Sequence, residues 1–143
     1  MAFLIDGKEF DSNRVDQTLT LGHLEEWTIL NTSNEIHPFH IHVNPFQVVA
    51  INGQPVDRPG YDDTFPVPAR GSIKIRTRYV DFDGKFVIHC HILFHEDHGM
   101  MQVVRIVDPA HPEASATNAP FDEPHPHVMS PKPIGERGRR PPR

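Results

Sequence analysis

A chain of 143 residues with 37% hydrophobic residues and a net charge of −5 has room for one domain with extra sequence and a modest core. It holds no run of about 18 apolar residues, which argues against a membrane span, and its negative balance argues against nucleic acid as a general partner. One cysteine, Cys90, excludes an intrachain disulfide, and the first ten residues carry Asp6, Lys8 and Glu9 where a signal peptide would be apolar.

Short runs of alternating apolar and polar residues predict strands at Thr18–Leu21, Glu26–Asn31, Phe46–Ile51, Ser72–Arg78, Lys85–His89 and Gln102–Val107. Asp6-Gly7 and Asn52-Gly53 have the composition of tight turns. Arg58-Pro59-Gly60 reads as a turn or loop, and Pro66 and Pro68 mark a sheet edge or a loop. A short helical turn fits Ile92–Asp97. Several short strands within residues 1–108 predict an all-β sandwich or small barrel. Residues 109–143 differ, holding nine of the fifteen prolines among Ala, Ser, Glu and Arg. Such a segment cannot bury enough apolar area to offset its ordering entropy, so it is expected to be an extended or disordered, flexible tail. Within it, His125-Pro126-His127 reads as solvated, and Arg137, Arg139, Arg140 and Arg143 as a weakly basic end.

Two histidine clusters carry the chemistry. One is His37-Pro38-Phe39-His40-Ile41-His42; the other is His89-Cys90-His91-Ile92-Leu93-Phe94-His95, followed by Gly99-Met100-Met101. Side chains alternate across a strand, so Cys90 points to one face and His89 and His91 to the other. A thiolate with two imidazoles and a weak axial thioether is the ligand set of a blue-copper centre. Cys90, His95 and Met100 can come from one loop, with His37 the natural fourth. On the other face, His40 and His42 share the His-x-His spacing of His89 and His91. Four imidazoles suit copper, zinc or iron, and the neighbouring thiolate favours copper. An electron arriving at Cys90 would cross its backbone to His89 or His91.

Blander readings exist for each part. A lone cysteine is often a small buried hydrophobe, isolated His-x-His pairs often have no metal role, and Cys90 with nearby histidines also suits zinc. His23, His98 and His111 fit no part of the scheme and read as surface or supporting residues. Glu96 and Asp97 read as two solvated acids in a loop.

The motif pair His-Pro-Phe-His-Ile-His and His-Cys-His-x-x-x-His-x-x-x-x-Met resembles the last cupredoxin domain of multicopper oxidases, the family of laccases and bacterial copper-efflux oxidases. The likeness spans about residues 3–108 and includes Leu21-Gly22, Glu26-Trp27-Thr28 and Asn44-Pro45-Phe46-Gln47-Val48. It implies a Greek-key β-sandwich of cupredoxin type. It implies type 1 copper on His37, Cys90, His95 and Met100, a type 2 copper ligand in His40, and type 3 ligands in His42, His89 and His91. Met100 in place of a non-coordinating leucine implies a moderate reduction potential. Glu96 matches the acid that relays protons in bacterial members, a purpose that oxygen reduction to water supplies. The donor edge is expected near His95, the usual exposed ligand in the family. Members usually work outside the cytoplasm, which implies a periplasmic or extracellular protein.

The family's trinuclear cluster draws on two domains, and residues 1–108 hold one half of its histidines. The expected function is laccase-like: one-electron oxidation of a small reducing substrate at type 1 copper, coupled to O2 reduction at a cluster that assembly completes. A twofold homodimer would bring two copies of the histidine face together across an isologous interface; a second cupredoxin domain, in a longer chain or another subunit, would do the same. The alternative is a stand-alone blue-copper electron-transfer protein using the type 1 site only. The start at Met1 leans toward an independent product. The oxidase reading is favoured because a carrier gives no reason to keep His40, His42, His89, His91 and Glu96 together. Phenols, aromatic amines or a protein donor are open as reductants, and the lack of a methionine-rich insert points away from a dedicated cuprous-ion oxidase.

Overall fold

The computed structural model describes residues 3–112. Among them, β1 (Gln17–Thr20), β9 (Met101–Val107), β8 (Gly84–Cys90), β3 (His37–Ile41) and β6 (Thr64–Val67) form a five-stranded sheet in that spatial order. The second sheet runs β2 (Leu24–Leu30), β7 (Ser72–Arg78), β4 (Phe46–Ile51) and β5 (Gln54–Pro55). One short helix, α1 (Leu93–Asp97), joins β8 to β9. β1 pairs with β9 in parallel, and the other pairings are antiparallel. The chain switches sheets at most connections, giving the expected cupredoxin-type sandwich.

The period-two pattern explains the layering. In β7, Ile73, Ile75 and Thr77 are buried, while Lys74, Arg76 and Arg78 turn away from the core. Lys74 and Arg76 meet Glu26 of β2 at 3.0 and 2.9 Å across the solvent face. The core between the sheets includes Phe39, Ile41, Phe46, Val48, Ile88 and Val104, with the Phe39 and Phe46 rings 5.7 Å apart from facing sheets. Asn52 and Gly53 both have positive φ, +49° and +76°, and make the two-residue turn between β4 and β5 that their composition predicts.

Phe46–Ile51 and Ser72–Arg78 are strands over the predicted bounds, and the other four predicted strands shift by one or two residues at their ends. The short helical turn forms as α1. β3, β5 and β6 are additions. β3 was masked by its prolyl and histidyl content, although Pro38 is accommodated opposite Pro66 of β6. β6 is an edge strand, the location a strand proline tolerates. The tail expected over 109–143 falls outside the described residues from Glu113 onward, including His125-Pro126-His127 and the terminal arginines.

β8 lies inside its sheet and is buried on both faces from Phe86 to Cys90. Its last residue reaches the end of the sandwich, where a cleft of about 1270 Å³ opens beside Trp27, Phe39, Cys90 and Met100.

Candidate metal centres

β3 and β8 pair with Phe39 opposite Cys90 and His40 opposite His89. Alternation then sends His37, Phe39 and Cys90 to the inner face and His40 and His89 to the outer one. The two candidate donor sets are therefore back to back across one pair of strands.

On the inner face, His37 Nδ1 lies 3.5 Å and His95 Nδ1 3.6 Å from Cys90 Sγ, and the two nitrogens are 3.1 Å apart. All three residues are buried, and their donor atoms fall within 4.8 Å of one another. The connection after β8 that carries His95 and Met100 is clamped by its backbone: Cys90 N–H donates to the Met100 carbonyl at 3.1 Å and Met100 N–H to the His95 carbonyl at 3.0 Å. Met100 lines the same cleft. Burial pushes the Cys90 thiol up and the His37 imidazole down, the latter helped by His95. Both groups are thus neutral near pH 7, and a metal cation that displaces the thiol proton to solvent would turn the donors into one thiolate and two imidazoles. That donor set fits copper.

His95 is not the open edge expected of it. It is only 6% exposed, because the N-terminal segment returns across the end of the sandwich and stacks Phe3 on its ring at 4.1 Å. The segment is held by the hydrogen bond from Phe10 N–H to the Gly99 carbonyl at 3.0 Å. Glu35 Oε2 is 3.9 Å from the outward Nε2 of His95.

On the outer face, donor atoms of His40, His42 and His89 lie within 4.8 Å of one another, with His42 Nε2 and His89 Nε2 3.1 Å apart. His91 follows the end of β8, its ring 5.2 Å from that of His40 and 5.7 Å from that of His89. His42 and His91 are exposed. The Nδ1 atom of His40 reaches the Asp63 carbonyl at 2.9 Å and Thr64 Oγ1 at 2.7 Å. His89 Nδ1 reaches the Cys90 carbonyl at 3.1 Å, and Glu96 Oε2 lies 3.3 Å from the same nitrogen. With Nδ1–H donating, each of these two rings offers Nε2 as its free donor, the arrangement that fixes ligand imidazoles in metal sites. Partial desolvation within the histidine group lowers the pKa of His40 and also of His42, exposed though that residue is on its other side, with neighbouring imidazoles adding to the effect.

His98 donates from Nδ1 to the Phe94 carbonyl at 2.7 Å, His111 sits 3.1 Å from Asp108, and His23 is exposed. None of them joins either group. Sequence reasoning missed Phe3, Ser33, Asp63 and Thr64. The Asn31-Thr32-Ser33-Asn34 run was readable as a turn, but which ligand it would touch depends on the fold.

A family model described as multicopper oxidase matches residues 1–110. Relatives include the multicopper oxidase mco of Staphylococcus haemolyticus, 36% identical over 110 residues, which cover 73% of this chain and 24% of that protein. The laccase of Bacillus subtilis is 31% identical over 115 residues, covering 66% of this chain and 22% of its own length. Among solved structures, a multi-copper oxidase from Pediococcus acidilactici superposes with a TM-score of 0.71 at 40% identity, over 75% of this chain and 24% of that one. The chain spans about a quarter of the length of these proteins. Its fold, its two back-to-back donor sets and these matches agree: the chain belongs to the multicopper oxidase family, whose cofactor is copper.

Proposed function

We propose that this chain supplies the type 1 site and half of the trinuclear site of a laccase-like oxidase. His37, Cys90, His95 and Met100 hold type 1 copper, His40 is a type 2 ligand, and His42, His89 and His91 are type 3 ligands. Copper in these sites would supply one-electron oxidation of a donor on one face and reduction of O2 to water on the other.

The observation that carries the reading is the junction of Cys90 with His89. The thiol belongs to the inner donor set and the neighbouring imidazole to the outer one. The Cys90 carbonyl also accepts from His89 Nδ1 at 3.1 Å. One residue's backbone and one hydrogen bond thus join the two sets, a short path for an electron. Glu96, partly exposed and 3.3 Å from His89 Nδ1, is the proton carrier, receiving protons from solvent and passing them to the outer face. Phe3 and Phe94 flank His95, their rings 4.1 and 6.3 Å from it. A donor therefore approaches past these rings and the Glu35 carboxylate.

The outer set is completed across an interface, by a second copy of the chain or by another cupredoxin domain. Exposure of His42 and His91 supports this, since buried ligands could not meet a partner. Family habit points to action in the periplasm or outside the cell. Among the described residues no helix is long and apolar enough to cross a membrane.

The test is copper per chain in reconstituted protein of known oligomeric state. About two and a half per chain in a dimer matches two type 1 ions and one shared cluster. About one per chain, in every assembly tried, overturns the oxidase reading and leaves a blue-copper electron carrier.

A further inference from the structure

The turn that follows β2 holds a chain of hydrogen bonds ending on His37. Asn31 is 7% exposed, and its Nδ2 faces three carbonyls: Glu35 at 2.7 Å, Pro68 at 3.0 Å and Val67 at 3.2 Å. Those acceptors settle which way the amide points, since turning it would set oxygen against oxygen three times. Oδ1 is thereby aimed at Ser33, accepting from its backbone N–H at 2.9 Å and lying 2.8 Å from its Oγ.

Ser33 has one hydroxyl proton. Asn31 Oδ1 and the Glu35 carbonyl, 3.0 Å away, can only accept, so the proton goes to them. Ser33 Oγ accepts from the Glu35 backbone N–H at 3.2 Å, and its remaining contact is His37 Nε2 at 2.8 Å, where Oγ, its own proton already given to the oxygens, accepts through its second lone pair. The ring proton therefore sits on Nε2. In a neutral imidazole this leaves the lone pair on Nδ1, the atom that faces Cys90 Sγ and His95 Nδ1.

We propose that the Ser33 hydroxyl, oriented by Asn31, is a positioning group that presets His37 with its proton on Nε2 and its lone pair on Nδ1 before any metal arrives. Its purpose rests on the type 1 reading, but the geometry stands without it. His40 shows the contrast. It donates from Nδ1 to Thr64 Oγ1 and also to the Asp63 carbonyl, a backbone acceptor that no side-chain change removes. At His37 the one acceptor among the described residues is a side chain, so the preset can be deleted.

The experiment uses the metal-free chain with nitrogen-labelled histidine and reads, by multiple-bond NMR, which His37 nitrogen carries the proton. The expected result is a single Nε2–H form with a slowly exchanging ring proton. In Ser33→Ala that protection is lost, and copper affinity at the Cys90 site falls roughly ten- to a hundred-fold, the usual effect of removing a hydrogen-bond partner of a metal ligand. Ser33→Thr, which keeps the hydroxyl, restores both. A proton on Nδ1 of His37 in the unaltered chain overturns the proposal, as does Ser33→Ala that keeps its ring-proton protection and its copper affinity. If Ser33→Ala fails to fold, the unaltered chain and Ser33→Thr still decide. An unaltered chain that shows the Nε2–H form yet takes no copper at Cys90 sinks the type 1 reading and leaves the preset standing.

Discussion

Replacing Asn31 by alanine should destabilise the metal-free chain by about 2–5 kcal/mol. The change removes the donor shared by three carbonyls and the acceptor for the Ser33 N–H and hydroxyl. The Asn31–Val67 bond is buried, so water cannot readily replace it, and an unsatisfied buried carbonyl costs about 1–3 kcal/mol. The Glu35 and Pro68 contacts are only partly buried, and each would forfeit about 0.5–1 kcal/mol after rehydration. The sum is a large share of the roughly 5–15 kcal/mol that holds a domain folded. Equilibrium urea unfolding would read it, followed by fluorescence of the single tryptophan, Trp27, which packs against the core. Asn31→Asp is the sharper version. It keeps an oxygen for Ser33 but sets a carboxylate against three carbonyls, so near pH 7 it should cost more than alanine, and less once acid protonates it. A midpoint shift worth under about 0.5 kcal/mol for Asn31→Ala, or Asn31→Asp as stable as the unaltered chain at pH 7, would refute the reasoning.

Further changes separate the other roles. Cys90→Ser should abolish the thiolate-to-copper absorption band and any oxidase activity, whereas His91→Ala should keep the band and lose O2 uptake in an assembled preparation; oxygen turnover that survives His91→Ala would rule out its place as a ligand. Val43 adopts φ +68° beside His42, a conformation that costs a β-branched residue about 1–2 kcal/mol; Val43→Gly should raise the midpoint of thermal unfolding, offset in part by about 0.5–1 kcal/mol of backbone entropy, and a lowered midpoint would show that the strain is absent. His37, His40 and His42 all have pKa values held below the ordinary 6.5, by burial first. The unfolded chain therefore takes up protons at higher pH than the folded one, and stability present above about pH 6.5 is lost as pH falls. Urea midpoints of the metal-free chain should drop from about pH 6.5 to pH 5; a flat or rising profile would contradict the shifts.

The candidate metal donors and their division between two faces were legible in the sequence. His-Cys-His in an extended segment must send its middle residue opposite to its neighbours, because side-chain alternation is a local property of the strand. His37 with Cys90 and His40 with His89 follow that rule in the folded chain. Sequence periodicity also found the strands with clean alternation, β4 and β7, over their full bounds. It did not find β3, because Pro38 and two histidines hide the pattern that Phe39 and Ile41 carry.

The sequence by itself therefore determined which side chains can hold metal and on which side of a strand each lies. Only the tertiary structure decided what surrounds them. Phe3 covers His95 because Phe10 pairs with Gly99, and Thr64 reaches His40 because β6 is the edge partner of β3. Ser33 reaches His37 because Asn31 is tied to Val67 and Pro68, carbonyls of a distant segment. Alternation needs only neighbouring residues, whereas burial and hydrogen-bond partners are set by pairings between segments far apart in the chain, which no local pattern records.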